Sequence, residues 1–385
     1  MKLTANWNYP TTIKFGPGRI VELAAICEAA GIRRPLLVTD VDLAKLPMVG
    51  DTRGRLEKAG MAVTLFSDVK SNPVARNVIE GVQAFCDGSH DGVIAFGGGS
   101  ALDAGKAIAF MSGQTRPLWD FEDAGDNWTR ADLAGIAPTI AVPTTAGTGS
   151  EAGRVSVITD DETHAKRLIF HPRIMPVAVI ADPELTVGIS PKTTAATGMD
   201  ALAHCIEAFC APGFHPMADG IALEGARLIH AWLPIAYRDG RNIEARAHMM
   251  AAATMGAVAF QKGLGAVHSL SHPLGAIYGT HHGLLNAVLL PYVLEFNKKA
   301  IAEKMERLSL YLRLERTGHE SVMAWIVELR LLLNIPATLG KIGIDDSKVA
   351  EVVRGALKDP TASTNPIALT EAALTALFRK AVQGQ

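Results

Sequence analysis

An aspartate and a histidine four residues apart form the first pair in this 385-residue sequence whose spacing suggests chemistry. Asp200 and His204 lie in the helical pattern TGMDALAHCIEAF, so their side chains share one helix face. Their neighbours are Ala, Leu, Met and Ile, and a carboxylate and an imidazole in apolar surroundings need a partner. A divalent metal ion would satisfy both, although a simple pair on a helix surface is the alternative.

Four more histidines follow in one short window. His268 and His272 are four residues apart, and His281 and His282 are adjacent. A lone histidine beside an apolar face is usually a core residue. The prediction of a metal site therefore rests on the grouping of several histidines. Oxygen and nitrogen ligands without a thiolate suit Fe(II), Mn(II), Zn(II) or Ni(II), and the sequence does not choose among them.

A glycine run favours phosphate binding in the first half of the chain. Gly97, Gly98, Gly99 and Ser100 follow an apolar strand and open the helical segment ALDAGKAIAF. Backbone N–H groups at such a helix start can approach a phosphate closely. Ser100 and Asp103 also have the spacing of a capping box, so a well-capped turn is the alternative.

Two further features sit at the ends of strands. The loop PTTAGTGSE, residues 143–151, offers hydroxyls and small residues that could line the same ligand. Asp40 ends the strand PLLVT, where a carboxylate can bind a ribose diol and repel a 2′-phosphate. This favours NAD over NADP, and an ordinary helix N-cap is the alternative.

The elements that would position these residues divide the chain in two. Strand-like runs at 35–39, 62–66, 92–96 and 139–143 alternate with amphipathic segments, which predicts parallel βαβ units. Two more strand-like runs cover 155–159 and 177–181. After about residue 190 the pattern is helical. The helices are predicted at 193–210, 217–235, 243–262, 283–296, 298–312, 319–333, 345–357 and 369–382. We therefore predict an α/β domain over 1–185 and an all-α domain over 186–385, with the ligand in the cleft between them.

Composition excludes several classes of function. The chain has 48% apolar and 20% charged residues, and its net charge of −2 argues against bulk binding to nucleic acid or to an anionic membrane. Four cysteines without a C-x-x-C pair predict a reduced, cytoplasmic setting. Neither a secretory signal nor a membrane-spanning run is expected.

Taken together, the motifs resemble those of the iron-containing (group III) alcohol dehydrogenases along nearly the whole chain. They occur in family order: KFGPG at 14–18, VTD at 38–40, Asn72-Pro73, GGGSALDAGKA at 97–107, PTTAGTGSE, DPELT at 182–186, TGMDALAHCIEAF, HSLSHPLG at 268–275, HHGLLNAVLLP at 281–291, and Asp359 to Pro366.

The resemblance implies a Rossmann-like dinucleotide-binding domain and a helical metal-binding domain. It implies metal ligands at Asp200, His204, His268 and His282, with His272 near the metal and the nicotinamide. The family often has Pro where this chain has His281. It also implies cofactor contacts at the following residues: Asp40, Asn72, Gly97, Gly98, Gly99, Ser100, Thr144, Thr145 and Thr148. Asp103, in the same glycine-loop motif, is added to this cofactor set. Gly153 departs from the polar residue common at its position.

The expected activity is reversible hydride transfer between NAD and a small alcohol, with His272 as the candidate proton relay. The protein is expected to be a homodimer or larger homo-oligomer. The main alternative is a lyase resembling dehydroquinate synthase, whose substrate carries a phosphate and a carboxylate. The motifs hold few cations that could bind these groups, namely Lys192, Lys262 and Arg154. A hydroxy-acid dehydrogenase, a metal-only hydrolase and a metal-stabilised, non-catalytic protein are also compatible with parts of the pattern.

Overall fold

The computed structural model describes residues 11–163 and 165–384. The described chain divides into two compact units. One comprises residues 11–145 and 149–187, and the other comprises residues 146–148 and 188–384.

The first unit is built on a parallel sheet of six strands. The strands of this unit are β1 (Thr12–Phe15), β2 (Pro35–Asp40), β3 (Thr64–Val69), β4 (Gly92–Gly97), β5 (Thr139–Pro143), β6 (Val155–Thr159), β7 (Lys166–Phe170) and β8 (Ala178–Ala181). The spatial order of the sheet is β1-β8-β5-β4-β2-β3. Strands β4 and β5 are buried along their whole length, as expected for strands covered on both faces. The predicted parallel α/β architecture is confirmed.

Four α-helices of this unit connect or flank the strands. They are α1 (Leu23–Ala29), α2 (Pro47–Lys58), α3 (Ala75–Asp87) and α4 (Gly99–Met111). Adjacent residues of β4 point to opposite layers: Val93 joins the core that holds Phe110 and Phe121, whereas Ile94 joins the core that holds Leu37 and Ile140. The sheet therefore has an apolar layer on each face.

The order of the strands identifies where this sheet would bind a ligand. When the five strands β2, β3, β4, β5 and β8 are renumbered 1 to 5 in chain order, the spatial order β3-β2-β4-β5-β8 reads 2-1-3-4-5. In this order the connections change direction between β2 and β4. Ligands of doubly wound sheets bind at the carboxyl ends of the strands at this point. Asp40 ends β2 and Gly97 ends β4, so the two predicted cofactor elements flank it.

One pair of strands lies outside the main sheet. Strands β6 and β7 form a separate antiparallel pair in which Val157 is opposite Leu168. The strand at 155–159 was predicted, but its partner at 166–170 was not. Its sequence, KRLIF, begins with two charged residues and does not read as a buried strand.

The second unit is helical. Its α-helices are α5 (Pro191–Cys210), α6 (Pro216–Arg238), α7 (Ile243–Ala259), α8 (Ala266–Tyr278), α9 (His282–Asn297), α10 (Ala302–Tyr311), α11 (His319–Leu332), α12 (Val349–Lys358) and α13 (Glu371–Gln383). Within the described ranges, no helix is both long and apolar enough to cross a membrane.

Helix α8 is the main element that the sequence pattern did not reveal. It contains Pro273, which normally breaks a helix, and it follows Gly263 and Gly265. The helix continues through Pro273 and is buried along most of its length. Its position matters because it carries His268 and His272.

Candidate functional site

Three of the predicted metal ligands converge in the helical unit. Asp200 and His204 lie one turn apart on α5, and His268 lies near the start of α8. One ligand atom from each of the three falls within 4.8 Å of the others, and all three residues are buried. The three side chains form a compact group that could hold a cation.

The fourth predicted ligand lies beside this group. The Nε2 atom of His282, the first residue of α9, is 3.6 Å from Oδ1 of Asp200. Its neighbour His281 is exposed at the N-cap of α9. The structure therefore places His282 with Asp200, as the family spacing implies.

The donor set fits a divalent metal. Among the residues that the structure describes, Asp200 forms ion pairs only with His204 and His282, so no lysine or arginine neutralises this buried carboxylate. Burial lowers the pKa of His204 to about 4, which leaves this imidazole neutral and able to donate a lone pair. A cation would meet both requirements.

A buried glutamate that sequence reasoning missed supports His268. Glu207 lies on α5, three residues after His204. Its Oε2 accepts a hydrogen bond from Nδ1 of His268 at 2.6 Å, and its Oε1 accepts one from the Val267 backbone N–H at 2.8 Å. Burial alone would lower the pKa of His268, but the hydrogen bond to Glu207 and the negative charges of Glu207, Asp200 and Asp359 together raise it.

A buried asparagine, also missed, lies among the same ligand atoms. Asn286 is on α9, one turn after His282. Its Nδ2 is 2.6 Å from Oδ1 of Asp200 and 3.1 Å from Nε2 of both His268 and His282. Its Oδ1 is buried and has no hydrogen-bond partner in the described part of the chain. The spacing of four residues from His282 was the signal that could have revealed it.

The late sequence motif at 359–366 packs against α8. Oδ2 of Asp359 accepts a hydrogen bond from Nδ1 of His272 at 2.7 Å. Burial alone would raise the pKa of Asp359, but its contact with His272 and the hydrogen bonds from Thr361 together lower it below the ordinary value. Asn365 accepts from the Ala266 N–H at 3.0 Å at the start of the helix. The motif thus fixes the histidine that we predicted as a proton relay.

An aromatic ring lies beside the imidazole of His204. Phe260 follows α7, and its ring centroid is 5.2 Å from that of His204 in an edge-on contact. His272 and His282 stack on each other with centroids 5.3 Å apart. The imidazole of His204 therefore contacts an apolar ring, and the imidazoles of His272 and His282 contact each other.

The glycine loop in the α/β unit has the predicted strand-to-helix geometry. Helix α4 begins at Gly99, and its N-cap is Gly98, which offers its backbone and no side-chain cap. Gly97 has a φ of 147°, a conformation that favours glycine. An added Cβ there would lie 2.7 Å from Cβ of Ala101. This helix start has no side-chain cap, which is what an anion site at a helix N-terminus requires.

The predicted capping box at this helix is wrong. Ser100 lies inside α4, and its hydroxyl donates to the Ser71 carbonyl. Asp103 accepts hydrogen bonds from the Ser150 hydroxyl and the Val157 N–H. A glycine took the N-cap position, so the serine is two residues too late to serve as a cap. Asp103 thus joins α4 to Ser150 of the loop 143–151 and to Val157 of β6.

The remaining predicted cofactor residues surround the same strand ends. Oδ1 of Asp40 accepts from the N–H groups of Asp42 and Leu43, although the N-cap of the short 3-10 helix that follows, Leu43–Lys45, is Asp42. The Thr144 N–H donates to the Gly97 carbonyl at 2.9 Å. Thr145 lies beside Gly98, since a Cβ added at this glycine would be 3.3 Å from Cγ2 of the threonine.

Two other predicted residues lie further along these loops. Asn72 is half-buried in the loop after β3, next to the serine that Ser100 contacts. Thr148 is half-buried and falls in the short segment 146–148 of the helical unit. Within that unit, Gly147 approaches Thr197 of α5 so closely that a Cβ would lie 2.7 Å from the threonine Cβ.

Family comparison agrees with these two units. Residues 10–183 match the family described as iron-containing alcohol dehydrogenase, and residues 194–382 match its C-terminal domain. The chain belongs to the iron-containing alcohol dehydrogenase family. The predicted family is therefore confirmed, and the chain is an oxidoreductase of that family.

Individual relatives cover the chain almost completely. A 4-hydroxybutyrate dehydrogenase from Cupriavidus necator is 41% identical over 369 residues, covering 93% of this chain and 94% of the relative. The crystal structure of a 1,3-propanediol oxidoreductase matches with a TM-score of 0.93 and 35% identity, over 98% of this chain and 100% of that one. A sulfoacetaldehyde reductase from Bifidobacterium kashiwanohense, solved with NAD+, matches with a TM-score of 0.89 and 30% identity, and each chain is fully covered.

Proposed function

We propose that this protein is an NAD-dependent, divalent-metal alcohol dehydrogenase that reversibly oxidises a small primary alcohol or diol to the aldehyde. The observation that carries the proposal is the buried group of Asp200, His204 and His268, with His282 beside it. Family membership supports the reaction class.

In this proposal, Asp200, His204, His268 and His282 hold the metal. Iron(II) is the first choice because of the family, and Zn, Mn or Ni are compatible with the same ligands. The metal, when bound, supplies a Lewis acid that lowers the pKa of the substrate hydroxyl. Asn286 and Glu207 hold the ligands in place through the contacts described above.

We assign NAD to the carboxyl edge of the parallel sheet. The start of α4, which has no side-chain cap, suits a pyrophosphate, and Asp40 suits the adenosine ribose. The other proposed contacts are Asn72, Gly97, Gly98, Gly99, Ser100, Thr144, Thr145 and Thr148. Asp103 acts indirectly, since its carboxylate is engaged within the protein. NAD, when bound, would supply the acceptor for the hydride of the alcohol carbon.

His272 is proposed to relay the proton of the substrate hydroxyl. Its Nδ1 is held by Asp359, so Nε2 is the nitrogen that can take up or release a proton. The carboxylate fixes the orientation of the ring.

The substrate is proposed to be short and to carry its hydroxyl on a primary carbon. Phe260 beside His204 gives the site an apolar side, which suits a short carbon chain. A hydroxy acid is the second candidate, favoured by the 41% identity to a 4-hydroxybutyrate dehydrogenase.

The contacts of Lys262 argue against the lyase. Its Nζ donates to Asp219 at 2.6 Å and to the Phe209 carbonyl at 3.1 Å. This lysine is therefore neutralised inside the protein and does not supply a free cation for a phosphorylated carboxylic acid.

We further propose functional domains at 1–185 and 186–385, a cytoplasmic setting and a homo-oligomeric state. The four cysteines are free, which suits a reducing compartment. Strand β1 ends the sheet order and leaves Phe15 40% exposed, so a second copy could cover this edge. Light scattering on the purified protein would give its mass.

The test is NADH formation by protein loaded anaerobically with Fe(II). The panel contains short primary alcohols, 1,3-propanediol and 4-hydroxybutyrate, and a chelated sample is the control. Turnover that needs both metal and NAD supports the proposal, and the best substrate separates the two candidates. Activity without nicotinamide, or activity that survives chelation, would overturn it.

A further inference from the structure

The carboxylate of Glu207 has two hydrogen-bond partners, and one of them is the ring of a proposed metal ligand. We propose that Glu207 is a positioning residue that holds His268 in the tautomer with its proton on Nδ1. That tautomer leaves Nε2 free to bind the metal. The inference rests on the proposed metal site and specifies how Glu207 acts on it.

The geometry favours a fixed proton position. Glu207 and His268 are both buried, and Nδ1 lies 2.6 Å from Oε2, a short distance typical of a charge-assisted bond. In the part of the chain that the structure describes, Glu207 forms an ion pair only with His268. A carboxylate accepts and does not donate, so the shared proton belongs to the imidazole.

The other ring nitrogen faces the proposed metal position. Nε2 of His268 lies 3.1 Å from Nδ2 of Asn286, which also contacts Oδ1 of Asp200 and Nε2 of His282. With the proton on Nδ1, this nitrogen has a free lone pair. A carboxylate on the far side of a ligating imidazole also increases its basicity, and losing such a partner typically costs 10–100-fold in metal affinity.

The second bond of Glu207 gives it a structural role as well. Oε1 accepts from the Val267 N–H, one of the unpaired donors at the start of α8. Asn365 performs the same task for the Ala266 N–H but contacts a backbone group of α8 and not the His268 ring. The two residues therefore allow the capping of α8 to be separated from the control of the ring.

The experiment compares wild type, Glu207→Gln and Asn365→Ala in the metal-free state. A glutamine amide keeps the size of Glu207 and can still accept from Val267 through its oxygen. Its NH₂ group then faces Nδ1 of His268, which must become an acceptor, so the proton moves to Nε2. Asn365→Ala weakens the helix start without touching the ring.

Two readouts are used, and neither depends on turnover. Nitrogen-15 NMR of labelled histidine reports which ring nitrogen of His268 carries the proton. Competition with a chromophoric chelator gives the affinity for Co(II) and Zn(II). We expect Nδ1–H in the wild type, Nε2–H in Glu207→Gln, and an affinity about 10–100-fold weaker in that variant. Asn365→Ala is expected to lower the melting temperature while keeping metal affinity within about tenfold of wild type.

The outcomes separate the inference from the function on which it rests. Wild-type protein that binds metal but carries the His268 proton on Nε2 would overturn the inference alone, even if Glu207→Gln does not fold. Equal losses of affinity in Glu207→Gln and Asn365→Ala would also overturn it, because Glu207 would then act only as a helix cap. Wild-type protein that binds neither metal would overturn the proposed metal site and the inference together.

Discussion

Single side chains decide the chemistry of the helical unit. Asp200 is buried, and among the described residues its charge is met by imidazoles rather than by a lysine or an arginine. Such a carboxylate is costly unless a cation joins it. Asp200, His204 and His282 were predicted from spacing or resemblance. Glu207 follows His204 by three residues and Asn286 follows His282 by four, and both spacings place side chains on one helix face. Asp359 lies 87 residues from His272 along the chain, so no local pattern could show that these side chains meet.

Replacing Asp200 by asparagine removes the charge and keeps the size. We expect Asp200→Asn to remain folded and to lose metal affinity by at least about 100-fold, more than the loss of a supporting carboxylate. Metal content after dialysis, measured by atomic emission, checks this result. Wild-type metal content in the variant would show that Asp200 is not a ligand.

The pair of His272 and Asp359 is expected to affect turnover and not metal binding. His272→Ala should reduce kcat by about 10²–10⁴-fold if it relays the proton. Asp359→Asn should reduce kcat less, because the ring remains present but is less well oriented. Steady-state kinetics on samples of equal metal content measure both effects. An unchanged kcat in His272→Ala would remove the relay from the account.

Asp40 is expected to select between the two nicotinamide cofactors. Its carboxylate ends β2 beside the glycine loop and would repel a 2′-phosphate. We expect Asp40→Ser to raise kcat/KM for NADP relative to NAD. Turnover with each cofactor at a fixed alcohol concentration gives the ratio. A ratio equal to that of wild type would place the ribose elsewhere.

Secondary-structure elements hold these side chains at the right places. The alternation of strands and helices and most of the C-terminal helices followed from hydrophobic periodicity, because buried faces repeat regularly. Helix α8 did not follow from this periodicity, because its tertiary packing outweighs the tendency of Pro273 to break a helix. The pairing of β6 with β7 was missed for a similar reason, since it depends on contacts that a local pattern does not encode.

The contact between α4 and β4 sets the position of the glycine loop. A Cβ on Gly105 would lie 2.6 Å from Cβ and 3.1 Å from Cα of Ala95, so the helix would have to move. We expect Gly105→Ala to destabilise the protein by about 1–3 kcal/mol and to weaken NAD binding. Thermal unfolding and NAD titration measure these changes.

Gly54 in α2 provides the matched control. An added Cβ there would meet nothing within 4 Å. We expect Gly54→Ala to stabilise the protein by about 0.5–1 kcal/mol and to leave NAD binding unchanged. If Gly105→Ala also stabilised the protein, the close packing of α4 on β4 would not be limiting.

The entire chain combines a parallel sheet unit and a helical unit, and both match the same family. The family and the fold class could be predicted because ten motifs occur in order along the sequence. The capping arrangement of α4 could not be predicted, because Gly98 is the N-cap residue and the side chain of Ser100 does not cap the helix.

Metal should stabilise the folded protein as a whole. A ligand that binds only the native state at 1,000 times its Kd adds about 4 kcal/mol. We expect Fe(II) or Zn(II) to raise the melting temperature of wild type and to leave that of Asp200→Asn nearly unchanged. Differential scanning calorimetry with and without chelator checks this. An equal rise in both proteins would indicate metal binding at another site.

NADH formation from a primary alcohol, measured before chelation, after chelation and after Fe(II) is restored, decides whether this protein is a metal-dependent alcohol dehydrogenase. We expect turnover to require NAD, to disappear with the metal and to return with it. We also expect Asp200→Asn to give no turnover under any of these conditions. Turnover that persists in the chelated protein, or that Fe(II) restores equally in Asp200→Asn, would contradict this function.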